Sequence, residues 1–334
     1  VGPASEITAK VTKEEELKWA FSAFGSGVDT KNNGYEGNAN EGSVRVYSNN
    51  GKGKLVPGST DGLAFYYTEI NPETTNFTLT ATAKINNWKL SNGQEGFGLM
   101  AADAVGTNGD GTTFWNNSYM ASVTKVEYSW DGTKVSDSGD KISMKLGIGS
   151  QEKKGVTSDN IKEDKNLADM SLFSTAMKTL ETSCADKGTG TYNIVGGYTG
   201  VEPTGTVDKT YTEFKLTIQK NNTGYFVSYT DKDGNTTTNK YYGTDVLNYL
   251  DTDSVYVGFY ASRNADITFE NIEFTTIAPE DDDPAEEQPV TRVTPSYNII
   301  SASTANSADY QMIYNGNADG ALRITDSTGS VIVD

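Results

Sequence analysis

Histidine is missing from all 334 residues. Its absence removes imidazole-based serine and cysteine triads, His-ligated zinc and His general bases. Any chemistry would have to rest on carboxylates, Lys, Arg or Tyr. Cysteine occurs once, at Cys184, so no intrachain disulfide can form. A secreted bacterial protein built without disulfides has this profile. Basic side chains are few, 27 against 45 acidic ones, for a net charge of −18. A nucleic-acid partner needs a basic stripe and none is visible. The same deficit argues against an anionic membrane surface. No apolar run is long enough to span a bilayer. The opening residues, Val1-Gly2-Pro3-Ala4, carry no signal-peptide pattern and read as a mature terminus or a cloning remnant.

What is present points to strands. Apolar residues make up 35% of the chain, and Gly, Thr, Asn, Ser and Tyr are abundant, which fits many short strands joined by tight turns. Over Asn76–Ile85, Phe77, Leu79, Ala81, Ala83 and Ile85 alternate with polar residues, giving one face to a core and one to water. Ile142–Ile148, Phe214–Ile218 and Val255–Phe259 alternate likewise. Ile267 and Phe269 share one parity while Ile272 and Phe274 share the other, which predicts a bulge near Glu270 and Asn271. Asp233-Gly234 is a hairpin turn, and the spacing of Asp231, Asp233 and Asn235 lacks the later ligands of a calcium loop. The expected class is all-β: an antiparallel jelly-roll β-sandwich.

The stretch from Gln94 to Trp130 reads as strand, polar loop, strand. Tyr119, Ala121 and Val123 lie on one parity and Val126, Tyr128 and Trp130 on the other, so a bulge near Thr124 and Lys125 is expected, or two apolar faces. Asn and Asp in the loop, beside Trp115, Tyr119, Tyr128 and Trp130, suit a sugar-binding surface. Aromatic rings lie on the C–H faces of a pyranose while amides and carboxylates bond its hydroxyls. The candidate carbohydrate-binding residues are Trp115, Tyr119, Trp88, Trp130, Asn108 and Arg263. Each has a plainer reading. Trp88 suits a plug at the sandwich edge, Trp130 packs a turn before Asp131-Gly132, and Arg263 serves equally in a structural ion pair. Asp103 and Asp110 are the loop carboxylates open to calcium; no other cofactor is indicated.

From Asn166 to Thr182, Leu167, Met170, Phe173, Met177 and Leu180 recur every three or four residues, predicting an inserted amphipathic helix. Pro279–Pro289, PEDDDPAEEQP, is acidic and proline-rich, and is expected to extend as a linker. The expected organisation is an N-terminal extension at 1–16, a sandwich at 17–277, a linker at 278–290 and a partial or small β module at 291–334. The last has strand signals at Tyr297–Ile300, Tyr310–Tyr314, Ala321–Ile324 and Val331–Val333.

Several blocks carry a family resemblance. GKGKL at Gly51, TDGLAFYYT at Thr60, NFTLTATAKINNW at Asn76, GFGLMAADAVG at Gly96 and NNSYMASVTKVEY at Asn116 form one set. LETSCADKGTGTYNIVGGY at Leu180 and VGFYASRNADITFENIEF at Val257 complete it. Together, over residues 17–277, they resemble the laminin-G-like, concanavalin-like modules appended to secreted bacterial pectate lyases of the family-nine polysaccharide-lyase type. The resemblance implies a β-sandwich that binds plant cell-wall polysaccharide. It places an Arg where Ala102 stands here, so a ligand contact made there in relatives would differ. The segment YNGNADGALRITDSTGSVIV resembles the start of another small β module of such enzymes.

Catalysis by the chain itself is disfavoured. The strand motif Glu-x-Asp-x-x-Glu of sandwich glycosidases is absent, and Glu270 and Glu273 stand three apart across the expected bulge. Sandwich alginate lyases use a histidine, and a pectate-lyase site sits on a β-helix, whose short coil repeats are missing. A net charge of −18 opposes polygalacturonate at a distance. A local basic patch, bridging calcium or a neutral side chain of pectin would relieve that conflict. The expectation is a non-catalytic carbohydrate-binding module, secreted or on a bacterial cell surface, whose partners are polysaccharide and further domains of its parent. The alternatives are a protein-contacting adhesion or spacer domain and, less favoured, a lyase.

Overall fold

The computed structural model describes residues 16–55, 61–88, 94–128, 144–163, 167, 169, 172–181, 213–231, 233–290, 310–314, 322–326 and 331–333. Two seven-stranded sheets form the larger unit, Val1–Gln288. The first runs β1 (Trp19–Gly25), β4 (Gly62–Ile70), β13 (Val255–Ser262), β6 (Gly96–Ala102), β7 (Ser118–Tyr128), β8 (Met144–Lys154) and β9 (Ser174–Glu181). The second runs β12 (Thr236–Tyr242), β11 (Gly224–Thr230), β10 (Glu213–Lys220), β5 (Asn76–Trp88), β14 (Ala265–Ile277), β3 (Ser43–Ser48) and β2 (Asn33–Asn38). Neighbouring strands are antiparallel throughout both orders. The result is the jelly-roll sandwich that the alternating patterns imply.

Alternation places the core. Phe77, Leu79, Ala81 and Ala83 of β5 turn inward and are buried, while Thr80 faces out and meets the Thr217 hydroxyl at 2.8 Å. Phe97, Leu99 and Ala101 of β6 and Val255, Val257 and Phe259 of β13 answer them from the opposite sheet. Each fully buried Phe contributes roughly 1.5–3 kcal/mol. Both expected bulges are present: the register shifts between Lys125 and Glu127 in β7, and between Glu270 and Glu273 in β14. Asn271 absorbs the second at φ 51°, a left-handed conformation that Asn tolerates better than most residues.

The expected helix over 166–182 is corrected. Ser174–Glu181 is the edge strand β9, paired with β8 from Lys154↔Ser174 onward, with Leu180 in the core. Met170 lies outside the described residues. Spacing of three and four is helical only if nothing else competes; here Thr175 and Thr179 favour a strand and the open edge of β8 supplies backbone partners. The helix that does form, α1 (Ser158–Lys162), has five residues and opens on a capping box between Thr157 and Asn160.

The acidic stretch after β14 differs from an extended linker. A 3-10 turn at Pro279–Asp281 starts it, and Asn222 donates from Nδ2 to the carbonyls of Pro279 (2.7 Å) and Asp283 (3.0 Å). Asn76 donates to Asp282 Oδ2 at 2.7 Å, and Lys240 pairs with Glu286 at 2.9 Å. Composition alone carries no record of these partners, which come from the β10–β11 turn, β5 and β12. The second unit, Pro289–Asp334, holds a three-stranded antiparallel sheet: β15 (Tyr310–Tyr314), β16 (Leu322–Asp326) and β17 (Val331–Val333). The strand expected at 297–300 lies outside the described residues. Among the described residues no helix is long and apolar enough to cross a membrane.

Candidate functional site

The outer face of the first sheet is itself largely covered. Ala64 and Tyr66 of β4 point into the sandwich, so Leu63, Phe65, Tyr67 and Glu69 point away from it. Leu63 and Phe65 join Met100, Met120 and Tyr260 in a second buried cluster. The polar segment 103–117 covers part of it, with Val105 and Phe114 packed inward. That segment is tied along β1: Ser22 Oγ donates to the Gly106 carbonyl (2.6 Å), and Asn108 Oδ1 accepts from Ala23 N (2.9 Å). Gly109 N donates to the Ala23 carbonyl (2.7 Å), and Gly25 N donates to the Asp110 carbonyl (3.0 Å). Gly25 sits at φ 85°, and a Cβ there would collide with the Asp61 carbonyl.

The far end of the segment is fixed by a buried pair. Asn117 is fully enclosed and satisfies every polar atom of its amide. Its Nδ2 donates to Asp103 Oδ2 (2.7 Å) and the Val156 carbonyl (2.6 Å). Its Oδ1 accepts from Gly155 N (2.8 Å) and Val156 N (3.1 Å). Burial pushes the Asp103 carboxyl up to about 7 despite these bonds and the nearby Lys153. Lys153 pairs with Asp61 at 3.6 Å, both almost fully enclosed.

At the margin of the cluster the cover stops and a cleft of about 780 Å³ opens. Tyr67 of β4 and Tyr256 of β13 stand in it half-buried, edge to face, with ring centroids 5.6 Å apart. Phe65 stacks behind Tyr67 at 5.1 Å and fixes its plane. Glu69 follows on the same strand face, its Oε1 accepting from Ser254 Oγ at 2.6 Å. Lys18, Asn71, Asp253 and Glu16 complete the polar rim. Burial raises the Tyr67 phenol above its ordinary value and Glu69 adds to the rise; burial, then Glu69, Asp251 and Tyr67, do the same at Tyr256. Two rings backed by an apolar floor and ringed by hydrogen-bonding groups suit a hydroxyl-rich ligand with apolar faces.

The residues singled out in sequence scatter. Trp88 and Tyr119 are corrected from ligand platform to core. Trp88 packs edge-on against Phe97 at 5.1 Å, and Tyr119 stacks between Tyr225 (4.9 Å) and Tyr241 (4.7 Å) inside the sandwich. Tyr119 lies on the inward parity of β7, while Trp88, on the opposite parity to Phe77–Ala83, is turned inward by the register shift opposite Asp266 and Ile267, so both rings are closed to solvent. Trp115 is half-buried and stacks on Phe173 at 3.9 Å, its Nε1 without a partner. Asn108 is exposed on the loop, with its Oδ1 engaged by Ala23. Arg263, at φ 48°, donates to the carbonyls of Gly51 (3.1 Å) and Gly53 (3.3 Å) and lies 3.9 Å from Glu95. That is the structural role. Trp130 lies outside the described residues. Asp110 accepts from Thr112, Asp103 from Asn117, and no group of three metal-ligating side chains occurs among the described residues. Tyr67, Glu69 and Tyr256 were not singled out; the available signal was an aromatic or acid at the outward parity of two core strands.

The comparisons with known proteins decide the family. The pectate disaccharide-lyase N-terminal domain family matches residues 28–278. The chain belongs to this family. Pectate lyase L of Thermoclostridium stercorarium is 30% identical over 336 residues, covering 98% of this chain and 23% of that protein. The pectate disaccharide-lyase of Dickeya chrysanthemi is 25% identical over 279 residues, covering 82% of this chain and 32% of that protein. The chain thus spans 23% and 32% of the lengths of these two curated relatives. Among solved structures, a Bauhinia forficata lectin in complex with GalNAc aligns over 79% of this chain and all of its own at 10% identity and TM-score 0.37. The winged bean acidic lectin aligns over 79% and 99% at 12% identity and the same TM-score, 0.37.

Proposed function

We propose that this pectate disaccharide-lyase N-terminal domain is a non-catalytic carbohydrate-binding module of a secreted bacterial enzyme that degrades plant cell-wall polysaccharide. It would hold the catalytic part of its parent near pectin-type polymer or the neutral side chains of that polymer. The observation that carries the reading is the Tyr67–Tyr256 cleft: two half-buried rings and a hydrogen-bonding rim, open to solvent. Trp115 and Asn108, on the segment that covers the same sheet face, are secondary contacts in this reading. A shallow site of this kind gains its effect through local concentration rather than tight binding.

Affinity electrophoresis of the whole chain in gels containing pectin, galactan, xylan or no polymer tests it. Retardation by a glycan, with Kd raised at least fivefold by Tyr256→Ala or Tyr67→Ala, a loss of about 1 kcal/mol, is the expected result. Unchanged mobility in every gel supports the spacer reading instead. Release of unsaturated product absorbance from the same polymers would make the chain a lyase.

A further inference from the structure

We propose that the Tyr67–Tyr256 cleft accepts an uncharged polysaccharide and turns polygalacturonate away, with the carboxylates of its rim as the selecting element. This rests on the carbohydrate-binding reading above and deepens it.

The lining holds three acids, Glu16, Glu69 and Asp253, against one base, Lys18. Glu69 accepts from Ser254 Oγ at 2.6 Å and lines the cleft beside both rings. An ionised carboxylate only accepts hydrogen bonds. A neutral hexose brings a hydroxyl donor at C6; a galacturonate brings a second carboxylate at the same place, so acceptor faces acceptor and like charges meet. The field is already felt at the rings, where Glu69 adds to the upward shift of both phenols and Asp251 to that of Tyr256.

The test compares dissociation constants of the whole chain for neutral galactan and for polygalacturonate, at low and at physiological ionic strength, with calcium and with chelator. The wild type is expected to favour galactan by on the order of tenfold at low salt, with the gap narrowing as salt screens the rim. Glu16→Gln combined with Glu69→Gln and Asp253→Asn is expected to cut that preference by about fivefold or more. Neutralising Glu280, Asp281 and Glu287, exposed acids that do not line the cleft, is expected to leave the ratio within about twofold at physiological ionic strength, where screening confines each charge to about 8 Å. Tighter binding of polygalacturonate by the wild type, with or without calcium, overturns the charge selection while leaving the binding reading intact if Tyr256→Ala abolishes it. An equal response to rim and distant neutralisation overturns it too. Loss of all glycan binding, or binding indifferent to Tyr67→Ala and Tyr256→Ala, overturns the cleft itself.

Discussion

Asn117 grips both oxygens of Asp103: its backbone N–H donates to Oδ1 at 2.8 Å and its side-chain amide to Oδ2 at 2.7 Å. The same side chain holds Gly155 and Val156, so one residue joins the segment over the sheet to the turn after β8. Asn117→Ala leaves buried donors and acceptors unpaired and is expected to cost about 3–5 kcal/mol in chemical denaturation. Amide exchange should quicken first at Gly155 and Val156.

Asp103 makes stability depend on pH in a defined direction. Its carboxyl is raised by burial from 3.8 to about 7, so between those values the folded protein binds the extra proton. Its contribution is therefore complete below about pH 4 and is lost as pH rises through about 7. Thermal melts of wild type and Asp103→Asn across this window should converge or cross as pH rises, the wild type losing relative stability. A difference that grows in favour of the wild type with rising pH contradicts the assignment.

Arg45 joins three strands of the second sheet. Its Nε and Nη2 donate to the two oxygens of Asp266 at 2.8 and 2.6 Å, and Nη1 lies 2.9 Å from Glu36. These carboxylates, Asp266 first, raise the guanidinium further above its ordinary value. Arg45→Ala strands the buried Asp266 and should cost about 2–4 kcal/mol by urea unfolding. Arg45→Lys keeps the charge without the two-pronged geometry, and about half the loss should remain.

Trp115 separates packing from recognition. Its ring stacks on Phe173, but its Nε1 is buried without a partner. Trp115→Phe removes the unsatisfied donor and keeps a ring, so stability should change by less than about 1 kcal/mol. Trp115→Ala should lower it by about 2–3 kcal/mol in the same melt.

Asn222 clamps the acidic stretch through the Pro279 and Asp283 carbonyls. Asn222→Ala should expose 279–290 to limited proteolysis several-fold faster while the sandwich melts within about 1–2 kcal/mol of wild type. Equal cleavage rates would show that the remaining bonds suffice.

The fold was legible wherever one face of a strand meets core and the other meets water, as in Phe77–Ile85. Both bulges were legible because an extra residue flips side-chain parity, as at Ile267/Phe269 against Ile272/Phe274. Ser174–Glu181 was not, since Phe173, Met177 and Leu180 repeat at a helical interval while the vacancy beside β8 is a tertiary fact. The cleft escaped for a related reason. Tyr67 and Tyr256 lie on a sheet covered on both sides, where an outward aromatic such as Phe65 or Tyr260 is as buried as an inward one. Only the limit of the cover distinguishes them, and nothing in period two records it.

The segment over the outer face bonds to Ser22, Ala23, Gly25 and Gly27, and so shields one border of the sandwich from other protein chains. β1 ends the first sheet, and a terminal strand with vacant amides invites a neighbour to zip onto it. Here Ala23, Gly25 and Gly27 have already donated those amides to Asn108, Asp110 and Gly111. From Ala23 to Gly27 the border of the sheet is therefore already closed to an incoming strand.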